Sequence, residues 1–341
     1  MGIQKTNLNI DKIKNILKNQ YNIEVIKITK IDRGTSNIFK IESTSNKYIL
    51  KEFIRGRTKE TILKEIKIIN FLRQRGINVP KYIKNLNNNF YTVNEKRILT
   101  VQEFINGYTV NNNVCDYEKV IELARILGKL TKELMEYPEL SEENIIEEQF
   151  SKKRLEHGIE KMENLRNNIK KDNKYRKQII EDIDYKIKVS KKLISDFNFN
   201  IIKKLTMLNS HGDFCTQQLI YHEETEPTII DFEKAEKLPI VWEIIRSYNY
   251  ADREIKINTL VDYFKEVTKY IKLNEYDIKY APYIYLLQLI SSTYGYKEYN
   301  NDFSQIELIE FAFFRTKTCK RLYENAEEIS SKLIKNIQIK N

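Results

Sequence analysis

Cysteine is scarce in this sequence of 341 residues. The three cysteines, Cys115, Cys215 and Cys319, lie far apart, and no Cys-x-x-Cys pair occurs. Their odd number and wide spacing argue against a disulfide framework and against a structural zinc site. They favour a protein of a reducing compartment.

Long apolar runs are also absent. One of the longest, YIYLLQLI at residues 283–290, is far shorter than a helix that spans a bilayer. The N-terminal segment lacks the apolar core of a signal peptide. We therefore expect a cytoplasmic protein that does not bind membranes.

Basic residues outnumber acidic residues, 58 to 48, which gives a formal net charge of +10. Such an excess is typical of many nucleic-acid-binding proteins. Here, however, Lys, Ile, Asn and Tyr are all abundant, as A/T-rich codons would supply, and no nucleic-acid-binding module has a recognisable signature. We expect no nucleic-acid partner.

The first hundred residues alternate between apolar and polar side chains in a way that predicts strands. A helical segment lies between the third and fourth strands, with Ile62, Ile66, Ile69 and Leu72 on one face and Gly76 as its stop. The pattern predicts a small antiparallel lobe of five strands and one helix. The predicted strands are residues 25–31, 37–43, 47–54, 90–94 and 97–104.

From Gly107 onward the pattern is mostly helical, interrupted by two short strand-like segments near residues 217–222 and 227–232. The predicted fold class is α+β with two lobes. We place a sheet-bearing N-lobe at residues 1–104 and a helical C-lobe at residues 105–341, with a cleft between them.

The interruption contains the stretch SHGDFCTQQLIYHEETEPTIIDFEKAE, residues 210–236. Asp213 and Asp231 each lie at the end of a strand-like segment, 231 − 213 = 18 residues apart. Two carboxylates at one cleft suit metal-assisted phosphoryl transfer. One orients a substrate hydroxyl, while the other holds Mg²⁺ against nucleotide phosphates.

HGDFCTQQ resembles the His-Gly-Asp-x-x-x-x-Asn catalytic loop of the aminoglycoside phosphotransferase-like and choline-kinase-like families. IIDFE resembles their metal-binding segment. The resemblance extends over nearly the whole chain and implies a protein-kinase-like fold, ATP and Mg²⁺ as cofactors, and a small-molecule hydroxyl as the acceptor. The layout is also similar to the spore coat CotS-type branch, which implies an alternative: a structural protein with coat-protein partners and little or no turnover.

The resemblance assigns roles to individual residues. Asp213 matches the catalytic aspartate, and His211 matches a residue that positions the loop, with a general-base role as the other interpretation. Asp231 matches the Mg²⁺ ligand. Lys51 matches the lysine that contacts the α- and β-phosphates, and Glu65 matches the glutamate that pairs with it, with Glu60 as the alternative.

Two backbone segments complete the implied nucleotide site. The hairpin that covers the phosphates contains Gly34, Thr35 and Ser36. The segment that would bind adenine through its backbone contains Gln102, Glu103 and Phe104.

Two positions depart from the family pattern. Gln218 stands where the metal-binding asparagine is expected, and Glu243 stands where an aspartate normally braces the catalytic loop. Both substitutes keep the chemical group but add one methylene, so the enzyme and the structural alternative both stay open. The acidic stretches at residues 139–149 and 181–184 would suit a cationic acceptor, although such runs are more often solvated helix faces.

Overall fold

The computed structural model of the chain describes residues 6, 8–31, 36–53, 58–111, 115–138, 140, 145–223, 225–252, 254 and 256–337. Two compact units are present. The first comprises Met1–Val110 with Gln217–Lys234, and the second comprises Asn111–Thr216 with Ala235–Asn341.

The first unit is built on an antiparallel sheet with the strand order β1-β2-β3-β6-β4, in which β5 also pairs with β6. All five predicted strands are present. A sixth, β4, follows Pro80; a strand of two residues is too short to show alternation in the sequence. The strands are β1 (Val25–Ile31), β2 (Asn37–Ser43), β3 (Lys47–Glu52), β4 (Tyr82–Ile83), β5 (Thr92–Asn94) and β6 (Arg97–Glu103).

Helix α1 (Ile10–Tyr21) packs on the sheet in one apolar cluster that includes Leu17, Ile41 and Leu50. Helix α2 (Lys59–Gln74) is the predicted helix, and its four predicted apolar positions are buried. A capping box between Thr58 and Thr61 starts α2. Gly76 follows the helix with φ 81°, a left-handed conformation that glycine adopts without steric cost.

The two short strands near the second aspartate form the hairpin β8 (Leu219–Ile220) and β9 (Thr228–Ile229). Tyr108 and Tyr221 exchange two backbone hydrogen bonds of 3.1 and 2.8 Å, and the Ile229 N–H donates to the Asn78 carbonyl at 2.8 Å. These bonds group residues 217–234 with the sheet-bearing unit, although they lie within the predicted C-lobe. The predicted boundary after residue 104 stays a prediction.

The second unit contains the described helices from α3 onward and one ladder of two strands, β7 (Met207–Ser210) with β10 (Glu236–Pro239). Helix α7 begins directly after β10 and is buried along most of its length. The helices are α3 (Tyr117–Leu134), α4 (Ile145–Phe150), α5 (Lys152–Asn167), α6 (Arg176–Asp196), α7 (Ile240–Ala251), α8 (Ile257–Val267), α9 (Glu275–Ile290), α10 (Tyr296–Asn301), α11 (Ile306–Glu324) and α12 (Ala326–Asn336).

Within the described part of the chain, every helix is too short or too polar to cross a membrane.

Gly107 lies too close to the hairpin to carry a side chain. A Cβ atom at this position would lie 2.3 Å from the Tyr221 carbonyl oxygen and 2.7 Å from Ile220 Cγ2, so Gly107→Ala must push the hairpin away. We expect a loss of about 1–3 kcal/mol in the free energy of unfolding, as is usual for overpacking. Urea unfolding measures the loss. The neighbouring exposed substitution Asn106→Ala is the control, and equal stability of the two variants would contradict the prediction.

Candidate active site

Lys51 lies on β3, between β2 and β6, and its side chain is largely buried. Its Nζ lies 3.5 Å from Asp231 Oδ1 and 3.7 Å from Glu233 Oε2. The Nζ also lies 4.9 Å from the centroid of the Phe53 ring. The fold thus brings the predicted phosphate-binding lysine next to the predicted metal ligand, although 231 − 51 = 180 positions of sequence separate them.

Asp231 follows β9 with φ 67°, a conformation that is uncommon for residues other than glycine. Its Oδ1 is buried and accepts no hydrogen bond from the described residues. Gln218 lies beside it, since the Gln218 carbonyl oxygen accepts the N–H of Ile230 at 2.9 Å. Strained backbone of this kind is concentrated at functional sites.

Glu65 is buried on α2 and accepts a hydrogen bond of 3.1 Å from the Tyr82 hydroxyl. Burial, followed by the charges of Glu65 and Asp231, raises the pKa of Tyr82 well above its usual range. Among the described residues, Lys51 forms ion pairs with Asp231 and Glu233. None of its ion pairs within this part of the chain is with Glu65. The predicted Lys51–Glu65 pair stays a prediction.

Glu233 is a site residue that the sequence interpretation missed. It lies in the 3-10 helix Phe232–Lys234 directly after Asp231. The available signal was its acidic side chain two positions after the metal-binding aspartate. Its carboxylate adds a second negative charge beside Lys51, so the lysine is held by two carboxylates from one short segment.

The predicted nucleotide-binding segments are described in part. Gly34 and Thr35 lie outside the described residues, whereas Ser36 is buried directly before β2. At the other segment, the N–H of Glu103 donates to the Lys81 carbonyl at 2.9 Å and that of Phe104 to the Lys47 carbonyl at 3.1 Å. Adenine recognition through these two donors stays a prediction. Because both are engaged in the sheet, we expect carbonyl groups or the residues after Phe104 to contribute.

The catalytic-loop segment belongs to the second unit. His211 is fully buried, and its Nδ1 lies 3.3 Å from the backbone nitrogen of Asp213. Gly212 has φ 76°, which lets the chain turn sharply between the two. The burial of His211 agrees with its role in positioning the loop, because a general base must be accessible to the substrate hydroxyl. Its role in catalysis stays a prediction.

Glu243, on the first turn of α7, braces this loop from beneath. Its carboxylate accepts the backbone N–H groups of His211 at 3.1 Å, Gly212 at 2.7 Å and Phe214 at 3.5 Å. The side chain is completely buried. Burial raises the pKa of Glu243 to about 7, against the opposing effects of Arg246 and the three N–H donors. The glutamate therefore reaches the loop backbone despite its extra methylene.

Arg246 is a second residue that the sequence interpretation missed. Its Nη2 donates to Asp213 Oδ1, and its Nη1 donates to the Phe214 carbonyl at 2.9 Å. The guanidinium lies 5.7 Å from the Trp242 ring and 4.8 Å from the Tyr250 ring. Burial alone would lower the pKa of Arg246, but attraction to Asp213, together with Tyr250, raises it. Its position three residues after Glu243, one helical turn on, was the available signal.

The two residues with predicted metal-binding roles fit a hard cation. Asp231 offers a carboxylate oxygen without a hydrogen bond, and Gln218 carries a neutral amide oxygen at the end of the 3-10 helix Thr216–Gln218, directly before β8. In the described part of the chain, no group of three or more His, Cys, Asp or Glu side chains is arranged to hold a metal alone. Mg²⁺ at this position would therefore depend on nucleotide phosphates and water for its remaining ligands.

Comparison of the sequence with models of known families identifies the family of the chain. Residues 27–270 match the model of the phosphotransferase enzyme family, and this range includes every site residue described above. The chain belongs to the phosphotransferase enzyme family. No curated protein matches the chain.

Solved structures of kinases share the fold of this phosphotransferase over its whole length. Spectinomycin phosphotransferase APH(9)-Ia, in complex with ADP and spectinomycin, is 17% identical with a TM-score of 0.62, and the alignment covers 96% of this chain and 98% of that one. An aminoglycoside phosphotransferase from Alicyclobacillus acidocaldarius is 13% identical with a TM-score of 0.65, covering 97% and 99%. A choline kinase from Cryptosporidium parvum is 14% identical with a TM-score of 0.58, covering 96% and 100%. These likenesses establish the protein-kinase-like fold.

Glu243 makes the stability of this phosphotransferase depend on pH. The carboxyl has a pKa of about 7 in the folded protein against 4.5 ordinarily, so the folded state binds this proton more tightly. The resulting stabilisation is complete below the ordinary pKa of 4.5 and is lost as pH rises through about 7. The total loss in the free energy of unfolding is about 3 kcal/mol. We expect Glu243→Gln to remove this part of the pH dependence in urea unfolding between pH 4 and 8.5.

The control for this experiment is Glu310→Gln, at an exposed position on α11. It should keep the pH dependence of the parent. An unchanged slope in Glu243→Gln would show that the buried carboxyl does not titrate in this range.

Arg246 and Asp213 should contribute to the free energy of unfolding as a coupled pair. Arg246→Met leaves a half-buried carboxylate and the Phe214 carbonyl without their donor, so we expect a loss of about 3 kcal/mol in unfolding free energy. Asp213→Asn in the same chain should recover part of it, which gives a coupling energy above ~1 kcal/mol in a double-mutant cycle. The exposed pair Arg166–Asp184, at 2.8 Å, supplies the matched control cycle. Equal coupling in both cycles would refute the buried pairing.

Proposed function

We propose that this phosphotransferase is an ATP-dependent kinase that transfers the γ-phosphoryl group to a hydroxyl of a small molecule. The observation that carries the proposal is the 3.5 Å approach of Lys51 Nζ to Asp231 Oδ1, across 180 positions of sequence. A cation and a carboxylate at this spacing suit a Mg-nucleotide, since the cation binds phosphate oxygens and the carboxylate binds the metal.

On the first unit, Lys51 contacts the α- and β-phosphates of ATP, while Asp231 and Gln218 contribute oxygen ligands to Mg²⁺. A cation held by these residues would neutralise the charge that accumulates on the phosphates during transfer. Glu233 keeps Lys51 in place before the nucleotide binds. The amide oxygen of Gln218 takes the part of the expected asparagine, with a reach longer by one methylene.

On the second unit, Asp213 orients the acceptor hydroxyl and receives its proton. The acceptor oxygen forms a bond to the γ-phosphorus, and the bond between that phosphorus and the bridging oxygen of ADP breaks. Arg246 donates to one carboxylate oxygen of Asp213 and thereby sets the orientation of the carboxylate that receives the proton. Glu243 and His211 hold the loop backbone and thereby set the position of the carboxylate.

The names of solved structures with this fold bear on the class of the acceptor. The solved structures with this fold are named for the spectinomycin, amicoumacin, choline and ethanolamine kinases, all of which act on small molecules. We propose a hydroxylated small molecule of this general kind as the acceptor. A screen of aminoglycosides, amino alcohols and other hydroxylated metabolites for ATP consumption tests it. The spore coat alternative stays a prediction that none of these comparisons supports.

Asp213 and Asp231 should have separable roles. Asp213→Asn should keep the affinity for Mg²⁺ and a non-hydrolysable ATP analogue, because Asp213 is neither a metal ligand nor a phosphate contact in this proposal. Asp231→Asn should weaken that affinity only when Mg²⁺ is present, by about tenfold or more, since a metal ligand is lost. Calorimetric titration of the analogue with and without Mg²⁺ measures both.

Gln218 supplies the internal control. Gln218→Ala should weaken Mg²⁺-dependent binding less than Asp231→Asn, and Gln218→Asn should be tolerated because it restores the usual family residue. Single-turnover phosphoryl transfer, once an acceptor is found, should be lost in Asp213→Asn. If the parent shows no saturable binding of the Mg-nucleotide, or if both aspartate variants bind it like the parent, the kinase proposal is wrong.

A further inference from the structure

Three basic side chains converge on the loop between α9 and α10 in the second unit. Arg154 Nε donates to Ser291 Oγ at 3.2 Å, and Arg315 Nη1 donates to Ser292 Oγ at 3.0 Å. The buried Lys186 Nζ donates to the carbonyl oxygen of Ser292. Cations from helices α5, α11 and α6 thus meet at two consecutive residues.

These three cations lack carboxylate partners among the described residues, where no ion pair involves any of them. The nearby carboxylate of Asp182 is engaged elsewhere, with Lys320 Nζ at 2.9 Å and the Tyr296 hydroxyl at 2.8 Å. Burial lowers the pKa of Lys186 to about 8. Uncompensated positive charge of this kind is unfavourable unless an anion offsets it.

Helix α5 presents more positive charge to the same loop. Arg154, Gly158 and Lys161 are spaced by four and three residues and so share one helix face. A Cβ atom on Gly158 would lie 2.5 Å from Ser291 Cβ, so the glycine lets α5 approach the loop closely. This approach brings Arg154 within reach of Ser291.

A cavity of about 260 Å³ lies at this junction. Its lining includes Arg154, Lys161, Lys297 and the hydroxyl-bearing residues Ser291, Ser292 and Thr293. Glu298 also borders it, but its carboxylate accepts the N–H of Gly295 at 2.6 Å and caps α10. The cavity is smaller than the ~300–1,000 Å³ of typical ligand pockets, which indicates a small ion or one charged end of a larger molecule.

We propose that this cavity binds a phosphate-type dianion, either inorganic phosphate or the phosphoryl group of a phosphomonoester. Arg154 and the serine hydroxyls donate hydrogen bonds to its oxygens, and Lys161 and Lys297 balance its charge. The tetrahedral anion has enough acceptor oxygens for these donors, which surround it from α5, the loop and α10. The site is distinct from the nucleotide-binding residues, since none of them lines it.

Titration of the full-length protein with inorganic phosphate, at constant ionic strength, tests the proposal. Lys161 and Lys297 are exposed, so the double variant Lys161→Gln/Lys297→Gln should fold normally. We expect phosphate affinity to fall by about tenfold or more in this variant, because two charged donors are removed. Lys152→Gln/Lys153→Gln changes the net charge equally on α5 but removes no residue of the cavity, and it should bind like the parent.

A second arm uses glycerol 3-phosphate in place of inorganic phosphate. Binding of both anions with the same dependence on the cavity lysines indicates that the phosphoryl group alone is recognised, and preference for the ester identifies a phosphorylated metabolite as the ligand. Three results would overturn the proposal: no saturable binding of either anion, equal affinity in the cavity and control variants, or loss of binding in Lys51→Gln with retention in the cavity variant. The last result would assign phosphate to the nucleotide site.

Discussion

The buried carboxylate of Glu243 is the interaction on which the catalytic loop depends. Three backbone N–H groups of the loop, those of His211, Gly212 and Phe214, donate hydrogen bonds to this one side chain. Gly212 adopts its left-handed conformation because it has no Cβ atom, and its hydrogen bond to Glu243 holds the chain in that turn. Arg246, one helical turn further along α7, then fixes the carboxylate of Asp213 itself. One helix therefore positions both the backbone and the side chain of the proposed catalytic residue.

The residues proposed to bind the nucleotide are held together by ion pairs. Lys51 comes from a central strand, and the carboxylates of Asp231 and Glu233 come from a hairpin and turn far along the chain. The hairpin reaches the sheet-bearing unit through backbone bonds at Tyr108 and Asn78. The position of Asp231 thus depends on ordinary sheet hydrogen bonding, together with the absence of a side chain at Gly107.

The sequence predicted the fold class, the five longer strands and helix α2, because alternation and helical periodicity are strong signals in segments of this length. It did not predict β4 or the β7–β10 ladder, which are too short or too far apart in sequence to show a pattern. Among the site residues, the approach of Lys51 to Asp231 agrees with the family resemblance. Glu233 and Arg246 were missed because their importance arises from tertiary contacts: Glu233 ends the IIDFE motif without an assigned role there, and Arg246 lies outside both motifs.

The left-handed backbone at Asp231 has a consequence for how this chain can change over time. Asparagine or glycine would adopt the same φ at lower energetic cost, and either would also remove a negative charge whose buried oxygen lacks a hydrogen bond. Either substitution would also take one of two carboxylate partners away from Lys51, so backbone strain and ion pairing favour different residues at this position. The aspartate retained here keeps a local cost in the fold that a metal-bound nucleotide would repay.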